Sequence, residues 1–156
     1  MARAAGRTKA RGRLGPPGDD RAVHVADRQR RLRIPRTAVR ARARRALAGV
    51  SHPGEVSVVF VADGEMRALN RDYHAQDRPT DVLSFPMADP RRPGPGGANE
   101  LLAEVVVCTD RAAAEAARRG LPVERELLLY VVHGCLHIAG FADHRHMGQD
   151  PDLAPL

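Results

Sequence analysis

Four of the seven histidines fall in one short run, HGCLHIAGFADHRH at 133–146. His133 and His137 are four residues apart, so on a helix both imidazoles project from one face and can grip one metal ion. Gly140 follows, with no Cβ to oppose a left-handed turn, and the returning chain can bring Asp143 to the same ion. The frame H-x3-H-x2-G-x2-D therefore reads as a site for one zinc ion per chain, held by His133, His137 and Asp143. Two imidazoles and a carboxylate leave a fourth position for water, which is the catalytic rather than the structural zinc pattern. Water on such a zinc ion has a pKa near ~7 and supplies a nucleophile at neutral pH. A turn one residue longer puts His144 in place of Asp143, so both stand as third ligand.

Other residues of the run read differently. His146 reads as a surface residue, and Cys135, on another helix face from His133, as a packed thiol. A lone histidine in an apolar helix is usually a satisfied core residue. A pair at this spacing, followed by glycine and Asp-His, is harder to explain by packing, because unsatisfied imidazoles are costly to bury. Gly134 occupies the place where H-E-x-x-H peptidases carry a general-base Glu, so peptide hydrolysis by that route is disfavoured.

The helix that must carry this pair starts at Pro122, with Glu124 and Glu126 near its positive end. From Leu127 to Ile138 it is apolar almost all round, which predicts burial against a sheet, and Gly140 ends it. Strands are expected at 21–27, 56–61 (VSVVFV), 81–85 (DVLSF) and 104–108 (EVVVC). A helix at 37–48 shows the stripe Val39, Ala43, Ala46 and Leu47, with Gly49 as its stop. A second starts with Asp63 as cap and places Met66, Leu69 and Tyr73 on one face. A third is capped by Thr109 or Asp110 and closed by Arg118, Arg119 and Gly120. Prolines and glycines mark 86–100 as a flexible surface loop. The sum is an α+β fold: a small mixed β-sheet packed with helices, and a central apolar helix carrying the H-x3-H metal motif.

The 156 residues are enough for one domain with a real core. Residues 1–20 read as a disordered basic tail, 21–148 as the single domain and 149–156 as a loose end. Charge divides sharply: residues 1–48 hold 15 basic against 3 acidic residues, giving +12, and 49–156 hold 10 against 16, giving −6. A basic lobe on an acidic body suits a polyanionic partner, although nearly all the basic residues are Arg, which also fits compositional bias. Aromatic residues are only 3% with no Trp, so a nucleic-acid site would have few rings and little sequence specificity through base stacking. No run approaches the roughly 18 apolar residues of a membrane span, no secretory apolar region follows the basic start, and two cysteines make no disulfide framework. The expected setting is cytoplasmic, without a membrane partner.

Three blocks together resemble the YbeY endoribonuclease family. HGCLHIAGFAD at 133–143 resembles its metal motif H-G-x-L-H-L-x-G-Y-D-H. LNRDYHAQDRPTDVLSFP at 69–86 resembles its N-x-x-Y-R-x-x-D-x-P-T-D-V-L-S-F-P, and EVVVCTDRAAAEA at 104–116 its strand–helix segment. The resemblance implies an α+β fold, one zinc ion and cleavage of single-stranded RNA. It also implies a role in small-subunit rRNA 3′-end maturation and ribosome quality control, with the ribosome or its small subunit as partner. Two positions depart from the family pattern: Asp143 stands where His is usual, and His74 where an Arg is usual. Arg71, Arg78 and the Arg-rich helix at 37–48 are candidates to neutralise the RNA backbone, and Thr80, Asp81 and Ser84 either line the groove or satisfy backbone groups. The alternative is a non-catalytic, zinc-containing ribosome-assembly factor that binds RNA without cutting it.

Overall fold

Four apolar, β-branched runs pair into one sheet in the computed structural model, which describes residues 20–92 and 94–140. Expectations for residues 1–19, Asp143, His144, His146 and the end at 149–156 lie outside the described residues. In chain order the elements are β1 (Val23–Asp27), α1 (Arg36–Ala46), β2 (Glu55–Val61), α2 (Asp63–His74), β3 (Val82–Pro86), β4 (Leu101–Cys108), α3 (Thr109–Arg119) and α4 (Val123–Ile138). A 3-10 turn at Gly97–Asn99 precedes β4. The strand order is β1-β2-β4-β3; β1, β2 and β4 run parallel and β3 antiparallel to β4. This is the mixed sheet with helices that the sequence led us to expect.

Alternation along the two central strands divides the core. Val56, Val58 and Phe60 of β2 and Val105 and Val107 of β4 meet α1 and α4, whereas Val59, Val61, Val106 and Cys108 meet Met66 of α2 on the opposite face. Helix α4 lies over β3 and β4, with α1 and α3 against its flanks. Leu127, Tyr130, Val131, Gly134, Cys135 and Ile138 form its buried stripe. The helix is buried against the sheet as expected, while Leu129 on its outer side is half exposed.

Gly134 sets how closely α4 approaches the sheet. A Cβ there would collide with Val105 Cγ1 and lie 2.9 Å from Val82 Cγ2 and 3.2 Å from Ser84 Oγ. The hydroxyl of Ser84 donates to the Gly134 carbonyl at 2.9 Å, tying helix to strand at the same point. The glycine is thus a packing requirement, and no carboxylate side chain fits at this position.

Helix α1 seals the open edge of β1 with arginines. Arg36 Nη1 donates to the Val25 carbonyl at 2.8 Å, Arg40 Nε to Val23 at 3.2 Å and Arg44 Nε to Arg21 at 2.8 Å. Helix positions four apart rise about 6 Å and strand positions two apart about 6.6 Å, so the two spacings match rung for rung. These carbonyls alternate with those facing β2, such as Ala22, which accepts from Val56. An edge that would otherwise recruit another strand is occupied. Part of the basic surface read as a polyanion site therefore serves the fold.

Helix starts differ from expectation. Asp63 is the first residue of α2 rather than its cap; its carboxylate accepts from Cys108 Sγ at 3.1 Å, and its own N–H is taken by Asp110 Oδ2 at 2.8 Å. Neither Thr109 nor Asp110 caps α3, because the Thr109 hydroxyl reaches back to the Val61 carbonyl at 3.1 Å. Long-range partners win over local caps. The segment 86–100 is anchored by fully buried His52. Its Nδ1 accepts from Gly54 N–H at 2.9 Å, and its Nε2 lies 3.2 Å from the Glu100 carboxylate and 3.4 Å from the Gly94 N–H.

Gly→Ala inside a helix ordinarily stabilises by ~1 kcal/mol. Overpacking reverses the sign at this contact, so Gly134→Ala should lose about 1–2 kcal/mol in urea denaturation; a stabilised variant would exclude the close approach. Removing a rung with Arg40→Met should cost about 1 kcal/mol and produce concentration-dependent association in sedimentation. A strictly monomeric Arg40→Met variant of unchanged stability would show that the rungs do not protect the edge.

Candidate functional site

His133 and His137 share one face of the last turns of α4, next to the buried stripe rather than in it. Their rings stack with centroids 5.0 Å apart and planes 17° apart. His133 is half-buried, with its Nε2 shielded from solvent, and His137 is exposed, so the pair runs from the packed side of the helix to its open side. Gly140 takes φ +91°, the left-handed turn expected after the helix. Two imidazoles of matched orientation fit a borderline metal such as zinc. Among the described residues no three His, Cys, Asp or Glu side chains gather to complete a metal site. Cys135 is fully buried and its thiol is pushed up to about 12 by burial, which agrees with a packed thiol rather than a ligand.

The second part of the site is the end of α2 and the turn leading into β3. Asn70, on the buried stripe one turn after Met66, donates from Nδ2 to the Arg78 carbonyl at 2.9 Å. Arg67 grips Asp77 with both fork nitrogens, at 2.8 and 3.0 Å, and holds that carboxyl below its ordinary range. Between these clamps Ala75 closes the helix in a left-handed conformation, φ 55°. The turn is therefore built to fix Tyr73 and His74 on the last turn of α2. Tyr73, expected on one helix face with Met66 and Leu69, is 66% exposed at the end of α2 and meets Phe85 of β3 in a T-shaped contact at 5.1 Å. His74 stands exposed, 6.4 Å from the same ring.

The remaining candidates sort by what they touch. Ser84 is spent on Gly134, and Asp81 faces Arg111 at 3.6 Å while its carbonyl accepts from Cys108 N–H, so both are structural. Arg71 lies beside Asp72 at 3.2 Å on the surface, and Thr80 is half-buried. On α1, Arg42 and Arg45 are exposed and take no part in the β1 ladder. Asn70 and Asp77 stand in the motif quoted over 69–86, but the Asn70–Arg78 and Arg67–Asp77 contacts escaped the sequence reading. A polar residue four after Met66 on an otherwise apolar stripe was the available signal for Asn70.

The family model described as Endoribonuclease YbeY matches residues 24–152. A protein named Endoribonuclease YbeY from Geobacter metallireducens is 39% identical over 130 residues, covering 81% of this chain and 83% of that one. Its namesake from Halorhodospira halophila is 45% identical over 97 residues, 62% of this chain and 61% of that protein. The solution structure of a Thermotoga maritima protein aligns with a TM-score of 0.52 at 24% identity, over 84% of this chain and 81% of that one, which shows a shared fold. A family match across this span, joined to 39% identity over four fifths of both chains, places the chain in the endoribonuclease YbeY family.

Proposed function

We propose that this chain is a zinc-dependent endoribonuclease that cuts single-stranded RNA, acting in the cytoplasm in small-subunit rRNA 3′-end maturation and ribosome quality control. The stacked His133–His137 pair on the last turns of α4, in a chain of this family, carries the reading. The relatives are named endoribonucleases, and no described helix is long and apolar enough to cross a membrane.

His133 and His137 would hold the metal through ring nitrogens and Asp143 through its carboxylate, with His144 as the competing third ligand. Bound there, zinc supplies a Lewis acid toward a phosphodiester oxygen and an acidified water. The chain's own residues do the rest. Gly134 and Ser84 seat α4 on β3 and β4, fixing the two imidazoles relative to the turn that carries His74. Arg71 and Arg78 neutralise phosphates beside the site, His74 offers an imidazole for hydrogen bonding, and Arg42 and Arg45 extend the basic surface across α1. With a glycine after His133 that accepts no side chain, the general base of a peptidase is missing, which favours phosphodiester over peptide chemistry.

Wild type should cleave single-stranded RNA, lose that activity in EDTA and regain it with zinc. Cleavage that persists in EDTA would overturn the metal mechanism, and RNA binding without cleavage in the zinc-loaded protein would leave an assembly factor as the function. Elemental analysis should find one zinc per chain in wild type and in His144→Ala, but little in His137→Ala or Asp143→Ala. Loss in His144→Ala instead would move the third ligand by one residue.

A further inference from the structure

Among the described residues the aromatic side chains divide into two kinds. Phe60 and Tyr130 are core residues, whereas Tyr73 and Phe85 meet at the surface. Phe85 is half-buried, packed from edge strand β3 against the Met66–Leu83 cluster, and so gives Tyr73 a fixed neighbour. The two rings meet at an interplanar angle of 63°, and Tyr73 keeps two thirds of its surface in solvent. Below it the chain is clamped twice, by Asn70 on the Arg78 carbonyl and by Arg67 on Asp77. A large ring held in place while still exposed loses little freedom when something stacks on it.

We propose that Tyr73, braced by Phe85, is a stacking platform for one nucleobase of the RNA strand. This rests on the nuclease reading and adds to it a base-binding subsite. The surroundings select the occupant. Two exposed arginines, Arg71 two residues before Tyr73 and Arg78 five after it, belong to the same helix end and turn, and His74 adds an exposed imidazole. Asp72 and Asp77 are each engaged by an arginine, which offsets their repulsion of phosphate. Single-stranded nucleic acid offers this alternation of ring and phosphate, and binding sites for it combine cations with exposed aromatic rings. The low aromatic content leaves few rings for stacking, and of the four described ones Tyr73 and Phe85 lie beside the arginine-bearing turn.

The test compares wild type, Tyr73→Phe and Tyr73→Ala in fluorescence-anisotropy titrations. The probes are single-stranded oligo(A) and oligo(U) decamers and an abasic sugar–phosphate decamer of the same charge, each checked for intact length after titration. Tyr73→Phe should bind like wild type. Tyr73→Ala should bind the base-bearing decamers about tenfold more weakly, bind the abasic decamer unchanged, and keep the same salt slope, because no phosphate contact is lost. Equal affinity of Tyr73→Ala and wild type for oligo(A) overturns the platform, as does an equal loss on the abasic decamer, which would mark a structural effect. Wild type that binds none of the three overturns the nuclease reading, and the platform with it. The chain has no Trp and Tyr130 is buried, so quenching of tyrosine emission by oligo(A) in wild type, and its loss in Tyr73→Phe, gives an independent readout.

Discussion

The contact of bare helix backbone on sheet at Gly134 is the constraint on which the rest of the molecule turns. Without a side chain there, α4 settles onto Val82, Ser84 and Val105, and the Ser84 hydroxyl locks the register between helix and strand. That seating decides which way His133 and His137 point, because both neighbour the glycine's face on the same turns. It also fixes β3 at the sheet edge, and β3 carries Phe85, against which Tyr73 and His74 are arranged. One missing methyl group thereby links the imidazole pair to the turn on the other side of the strand.

The basic and polar residues divide by burden rather than by type. Arginines on α1 that look alike in sequence have different work: Arg36, Arg40 and Arg44 satisfy strand carbonyls, while Arg42 and Arg45 stand clear. Likewise Asp63 and Asp110 look like helix caps but answer partners far along the chain, Cys108 and Asp63 in turn. Local hydrogen-bond preferences are worth about a kilocalorie, and a buried long-range partner outbids them.

Much was legible in the sequence because it depends on periodicity. The β-branched, mostly apolar runs VSVVFV and EVVVC mark the two central strands, and the i, i+4 spacing of His133 and His137 survives any small error in helix ends. The left-handed turn at Gly140 follows from the lack of a Cβ. What was not legible depends on contacts between distant segments. Nothing local distinguishes the rungs of α1 from its free arginines, since the match to β1 exists only once the two lie side by side. Tyr73 fits the apolar stripe of α2 by spacing, yet the helix ends just there and its final turn overhangs the sheet. Gly134 reads as an absent carboxylate, whereas its reason is the approach of β3 and β4.

The rungs between α1 and β1 also bear on the order in which the chain assembles. They join residues only 11, 17 and 23 positions apart, whereas β1 must find β2 from Val23 to Val56 and β2 must find β4 from Val59 to Val106. Closing the shorter loops costs less entropy, so the helix and the edge strand form the least expensive early partnership. A strand that meets its helix first enters the sheet with one side already covered. It is left with a single side on which to pair.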